Sequence, residues 1–255
     1  MLSLNALPAF NDNYIWTLSD TGEQAVLVDP GEAGPVLKAV AEGMKPVAIL
    51  LTHHHPDHIG GVGELLGRFD IPCYAPVDER IALATRRVGE GDRLTIDALG
   101  VEFEVLAVPG HTLSHIAYHG AGILFCGDTL FSLGCGRLFE GTPVQMLKSL
   151  DRLAALPAET LVCCGHEYTQ SNGRFSKAAE PENRQRDERL AEVDAARLRG
   201  LPSVPSSMAS ERACNPFLRV DQPTIRQTLS SRGLAGSDRG QAFAALRAWK
   251  DGFAA

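Results

Sequence analysis

The sequence predicts an α/β domain over residues 1–168 and a smaller second part over residues 169–255. Three observations carry this. Short apolar runs bounded by turn formers alternate with segments of helical period. Four of those runs end in candidate ligands, as in an open α/β sheet whose loops converge beyond the strand ends. The charge also changes sign: residues 1–170 carry 10 basic and 21 acidic side chains, a net of −11, and residues 171–255 carry 14 and 10, a net of +4. The change falls near Gly165–Gly173 and suggests that the second part handles something anionic.

In chain order, Leu2–Leu7, Tyr14–Leu18 and Ala25–Asp29 read as a β-meander, closed by Asp29-Pro30-Gly31. Gly34-Pro35 opens a helix to about Glu42, with Pro35 suited to its first turn. Val47–Leu51 is a buried strand, Gly63–Arg68 a helix and Pro72–Ala75 a short strand. Arg93–Ile96 and Val101–Val108 follow as strands, then a hairpin of Ile116–His119 and Ile123–Cys126 around Gly120-Ala121-Gly122. Pro143–Leu156 is a helix and Leu161–Cys164 the next strand.

With 255 residues and 44% apolar content, the chain can bury a sizeable core. No apolar run approaches the ~20 residues of a membrane span. Met1-Leu2-Ser3-Leu4-Asn5 reads as neither a signal peptide nor an organelle leader, so a cytoplasmic protein without a membrane partner is expected. A monomer is also expected. The six cysteines match neither a metal knuckle nor a disulfide framework and read as reduced core residues. Basic residues of the second part alternate with acids and form no aromatic-interleaved stripe, so nucleic acid is not an expected partner.

The stretch that organises the chain is Thr52-His53-His54-His55-Pro56-Asp57-His58. Four of the eight histidines fall within six residues, directly after a buried strand. Locally extended backbone would point His53 and His55 the same way. Pro56 turns the chain, and Asp57 and His58 can then reach a neighbouring point. Imidazole and carboxylate are ordinary ligands of zinc and other borderline metals. His111 follows the run Val101–Val108, Asp128 follows Ile123–Cys126, and His166 follows Leu161–Cys164. Each alone could be a core histidine or a turn carboxylate, but all three landing after strands points to one site. The seven divide between two metals: His53, His55 and His111 for one, Asp57, His58 and His166 for the other, Asp128 bridging. His54 is taken to point away, and His115 and His119 carry no assignment.

These residues resemble the metallo-β-lactamase superfamily, whose Thr-His-x-His-x-Asp-His hallmark is Thr52–His58. Further segments narrow the resemblance to the hydroxyacylglutathione hydrolases (glyoxalase II): Gly127-Asp128-Thr129-Leu130-Phe131, Gly134 to Thr142, Gly165-His166-Glu167-Tyr168-Thr169, Asn215-Pro216-Phe217-Leu218-Arg219, and Arg247-Ala248-Trp249-Lys250-Asp251. The resemblance runs from near residue 1 to the C-terminus. It implies an α+β class, a four-layer αββα sandwich with a small C-terminal helical domain that binds the glutathione substrate. It also implies two divalent metal ions, Zn2+ first and Fe or Mn as alternatives. The implied reaction is hydrolysis of S-D-lactoylglutathione to D-lactate and glutathione in methylglyoxal detoxification, with a metal-bridging hydroxide as nucleophile.

Carried over by position, the metal ligands are the same seven residues, and Asp57 and Asp128 also serve catalysis by orienting the hydroxide. The implied glutathione contacts are Arg137, Phe139, Tyr168, Arg247 and Lys250. Lys and Tyr are the familiar residues at the first two positions. Arg137 still supplies a cation, with a fork suited to carboxylate, while Phe139 packs without a hydroxyl. Arg247 and Lys250 lie three apart on a helix, hence on one face, as an anionic conjugate would require. A persulfide dioxygenase of the same fold, with a single iron, needs fewer ligands than this chain offers.

Overall fold

Unbroken apolar runs set the centre of the first sheet. A computed structural model describes residues 2–21, 23–234 and 238–253. Strands β1 (Leu2–Ala9), β2 (Asn13–Asp20), β3 (Gln24–Val28), β4 (Lys45–Leu50), β5 (Cys73–Pro76) and β6 (Arg86–Val88) pair in that order. β1 to β3 are antiparallel, and β3 to β6 are parallel. Parallel strands need a crossover, which α1 (Gly34–Ala41) supplies between β3 and β4. After β4 come α2 (Pro56–Ile59) and α3 (Val62–Arg68).

β3 and β4 are buried on both faces, which is why they read as continuous apolar runs rather than alternating ones. Leu27, Ile49 and Leu51 pack with Val36 of α1 and Val62 and Leu65 of α3. Residues between them, Val26, Val28, Ala48 and Leu50, point to the opposite face and are equally buried. Strands β7 (Arg93–Ile96), β8 (Val101–Ala107), β9 (Ile116–Gly120) and β10 (Ile123–Gly127) form an antiparallel meander. Buried Tyr118 of β9 joins it to the first sheet, donating its hydroxyl to the Leu51 carbonyl at 2.9 Å. All these elements belong to one compact unit, Met1–Ala107 with Ser114–Gly127.

A second unit comprises Val108–Leu113 and Asp128–Ala255. It begins with a small hairpin, β11 (Leu130–Phe131) and β12 (Gly134–Cys135). Helix α4 (Pro143–Ala154) starts with a capping box between Thr142 and Gln145 and Pro143 in its first turn. β13 (Leu161–Cys164) pairs with β14 (Ser206–Ser207). The rest is helical: α5 (Thr169–Ala179), α6 (Arg184–Leu198), α7 (Met208–Cys214), α8 (Pro223–Ser231) and α9 (Arg239–Asp251). Mixed sheets with helices, and a helical C-terminal region, agree with the class expected from the sequence. Not expected were the strands β6 and β14, the hairpin β11–β12, and the single helical turn at Pro56, where the proline starts α2 from an extended His55.

Two buried polar hubs organise the second unit. Arg186 is fully buried and donates to the carbonyls of Ser176, Glu180 and Pro181 while pairing with Asp187. Asn215 donates to the Phe131 carbonyl at 3.0 Å, the Gly134 carbonyl at 2.9 Å and Glu211 Oε2 at 3.0 Å. Glu211 Oε2 also accepts the Leu133 amide at 2.9 Å. Burial pushes the Glu211 pKa above the usual carboxylate value. The β11–β12 hairpin is thus held by a carboxyl and an amide from α7 and its C-cap. Asn215→Ala strands these acceptors in the interior and should cost about 2 kcal/mol or more of stability, read as a lower denaturant midpoint at unchanged slope.

Candidate metal centre

Asp29 ends β3 at φ +51°, a region aspartate tolerates better than most residues. Its Oδ1 accepts the Thr52 amide at 2.8 Å, and its Oδ2 accepts the Thr52 hydroxyl at 2.6 Å. Oδ2 also faces His58 Nδ1 at 3.0 Å. A carboxylate only accepts, so His58 must donate from Nδ1 and carry its lone pair on Nε2. The Thr52 hydroxyl spends its proton on Asp29 and therefore accepts from His53 Nδ1, 3.0 Å away. His53 too carries its lone pair on Nε2. One buried carboxylate sets the tautomer of two histidines, one directly and one through a threonine.

His53 Nε2 lies 3.1 Å from His55 Nδ1. The two rings meet as their two-residue spacing implies. His58 Nε2 lies 3.7 Å from Asp57 Oδ2. Asn13 fixes that carboxylate, donating to Asp57 Oδ2 at 3.0 Å. His54 turns towards Asp78, 3.6 Å away, and His115 stacks on His53 with ring centroids 4.6 Å apart. Gly127 at φ +47° runs so close that a Cβ there would stand 2.3 Å from the Thr52 hydroxyl.

In the second unit, His111 donates from Nδ1 to the Arg137 carbonyl at 2.8 Å, which again leaves the lone pair on Nε2. That nitrogen is 3.5 Å from Asp128 Oδ2, and His166 Nε2 is 3.3 Å from the same oxygen. His111, Asp128 and His166 are all buried. Ligand atoms of a four-coordinate zinc with bonds of ~2.0–2.1 Å stand about 3.3 Å apart. The spacings within each unit and the donor types fit a divalent cation. Asp29, His53 and His58 also form a close buried cluster, but both Asp29 oxygens are occupied by hydrogen bonds, which suits Asp29 to orienting the candidate ligands His53 and His58 rather than to binding metal itself.

The expected substrate residues lie in the same unit as His111, Asp128 and His166. Tyr168 stacks flat on His166 at 4.7 Å, and Phe139 meets His111 edge-on at 5.2 Å while 61% exposed. Arg137 reaches Asp251 Oδ1 at 3.3 Å, and Arg247 reaches the same oxygen at 3.0 Å. Arg247 is only 5% exposed, donates to the Cys135 carbonyl at 2.8 Å and lies over Phe217. Lys250 is partly buried over the Phe175 ring. Burial, with the Arg247 and Arg174 charges, pulls its pKa below the usual lysine value.

Residues 13–166 match the metallo-beta-lactamase superfamily, and residues 167–253 match the hydroxyacylglutathione hydrolase C-terminus. A protein of Xylella fastidiosa named hydroxyacylglutathione hydrolase is 54% identical over 99% of this chain and 98% of its own length. The chain belongs to the hydroxyacylglutathione hydrolase family. A second relative of that name, from Xanthomonas campestris pv. campestris, is 54% identical with both chains covered in full. Among solved structures, ETHE1 from Myxococcus xanthus is similar with a TM-score of 0.66 and 26% identity, covering 97% of this chain and 90% of its own. The BLEG-1 B3 metallo-beta-lactamase gives 0.65 and 26%, over 85% and 99%. Family membership and the His/Asp clusters agree on divalent-metal binding, and among the described residues no helix is long and apolar enough to cross a membrane.

The sequence missed Asp29 and Asn13. A signal for Asp29 existed: like Asp128, it closes an apolar run, but Asp29-Pro30-Gly31 also spells a turn. Asn13 offered none, because its partner lies 44 residues away. Asp29→Asn keeps the shape but presents a donor to His58 Nδ1. It should weaken divalent-metal affinity about 10- to 100-fold in competition with a chromophoric chelator.

Proposed function

We propose that this chain hydrolyses S-D-lactoylglutathione to D-lactate and glutathione, using two divalent cations, zinc first. Asp128 carries the proposal, because one carboxylate oxygen stands within 3.5 Å of two buried imidazoles in a chain of this family. His53, His55 and His111 would hold one cation and Asp57, His58 and His166 the other, with Asp128 shared. When bound, the cations supply an ionised water at neutral pH and polarise the thioester carbonyl.

The protein's own residues do the rest. Asp57, steadied by Asn13, and Asp128 orient the attacking water through their carboxylate oxygens. The departing thiol has a pKa of about 8.5, so it leaves as thiolate without a dedicated acid. Arg137, Phe139, Tyr168, Arg247 and Lys250 are the proposed glutathione contacts, within a substrate domain of residues 169–255 and the loop after Asp128. Support for that division comes from the family models, which change over between residues 166 and 167. The proposed enzyme is a cytoplasmic monomer. Six buried free cysteines support a reducing compartment.

Loss of thioester absorbance is the direct test, with lactoylglutathione beside the same acyl group on a simple thiol. Fast turnover of the glutathione ester alone is expected, abolished by chelation and restored by metal. Equal rates on both would discard the glutathione pocket, and no turnover of either by metal-loaded protein would discard the hydrolase. Lys250→Ala should raise KM about tenfold with kcat little changed, the signature of lost uniform binding. Arg247→Ala should also lower stability, since its guanidinium holds the Cys135 carbonyl. A fall in kcat at unchanged KM for Lys250→Ala would remove that residue from the binding role.

A further inference from the structure

Phe10 opens the three-residue turn between β1 and β2 and lies at φ +50°. Side chains are strained there, and asparagine and aspartate tolerate the region best. Asn11 and Asp12 are its next neighbours, yet the left-handed position falls on a phenylalanine. Core packing does not account for this, because the Phe10 side chain is 55% exposed. Fixed contacts impose the conformation. The Phe10 amide donates to Glu32 Oε1 at 2.7 Å. At the other end of the turn, Asn13 donates to Asp57 Oδ2 and, at 3.3 Å, to the Asp57 carbonyl.

Gly31 lets the turn close on the ligand loop. A Cβ on Gly31 would stand 1.8 Å from the Asp57 carbonyl oxygen and 2.9 Å from Phe10 Cε2. The exposed ring therefore borders the Asp57 peptide. Strain retained by an exposed aromatic beside a proposed ligand is the kind that marks function.

From this placement we infer that Phe10 determines acyl specificity: its ring is a wall against the acyl group of the thioester and limits its size. The inference rests on the hydrolase activity proposed above. Asp57 marks where the reacting carbonyl comes, and that carbonyl bears sulfur on one side and the acyl chain on the other. The proposed contacts to glutathione are polar, cationic or aromatic groups elsewhere in the sequence, assigned to the glutathione part of the thioester. A flat apolar ring suits a methyl substituent. The Glu32 and Asn13 hydrogen bonds hold the turn backbone that carries the ring.

Phe10→Asn and Phe10→Gly remove the ring while keeping a residue that accepts positive φ. The measurement is kcat/KM for S-D-lactoylglutathione and for the bulkier S-mandeloylglutathione, together with Tm. In both variants the mandeloyl-to-lactoyl ratio should rise about tenfold, the scale at which an apolar pocket discriminates. Tm should stay at or above wild type as strain is relieved. A ratio unchanged from wild type, with lactoylglutathione still turned over by wild type, overturns the role of Phe10 alone. A lower Tm with an unchanged ratio overturns it too, making Phe10 a packing residue. Failure of the wild type to hydrolyse lactoylglutathione overturns the hydrolase proposal and this inference with it.

Discussion

The buried carboxylate of Asp29 is the constraint on which the histidine-rich loop after β4 depends. It accepts three hydrogen bonds, from the Thr52 amide, the Thr52 hydroxyl and His58 Nδ1. An unpaired carboxylate in this interior would be costly, so these donors are as necessary to Asp29 as it is to them. The exchange fixes where the chain goes after β4 and which nitrogen of each imidazole faces outward. Geometry and protonation state come from one interaction. The second unit repeats the device with a different acceptor, the backbone carbonyl of Arg137 for His111.

Much of this architecture was legible in the sequence, for identifiable reasons. Strand positions follow from apolar runs of four to eight residues, and their ends from the ligand or turn residue that follows. The meeting of His53 with His55 follows from spacing alone. Pro56 was expected only to turn the chain, yet it begins a helical turn, because a proline that cannot extend a strand is well suited to a first helical position. Arg247 and Lys250 share a face as their spacing implies, but the sequence could not show that one of them is buried against Asp251 and Cys135 while the other is partly exposed. Such assignments depend on partners far along the chain. Asp29 with Thr52, Asn13 with Asp57 and Arg247 with Cys135 are separated by 23, 44 and 112 residues.

Charge in the second unit is arranged around a shared acid. Asp251 accepts from both Arg137 and Arg247, so one carboxylate tethers the loop that carries Phe139 to the last helix. Lys250 lies next to it in sequence and over an aromatic ring, with no salt bridge among the described residues. Cation repulsion there is only partly offset, which lowers the cost of receiving a carboxylate.

The hairpin that follows Asp128 has a temporal consequence. Its backbone is held by Glu211 and Asn215, 78 to 84 residues further on. A ribosome that has finished the superfamily-matching part of the chain, through residue 166, has not yet made either anchor. Asp128 therefore waits, during synthesis, for a helix that lies outside the part of the sequence in which it is encoded. Contacts of such long sequence separation form late, after the entropy of closing the loop has been overcome. The C-terminal helices thus hold the loop after Asp128, and a chain shortened before residue 215 would lose that loop's anchors together with the proposed substrate contacts of the last helix.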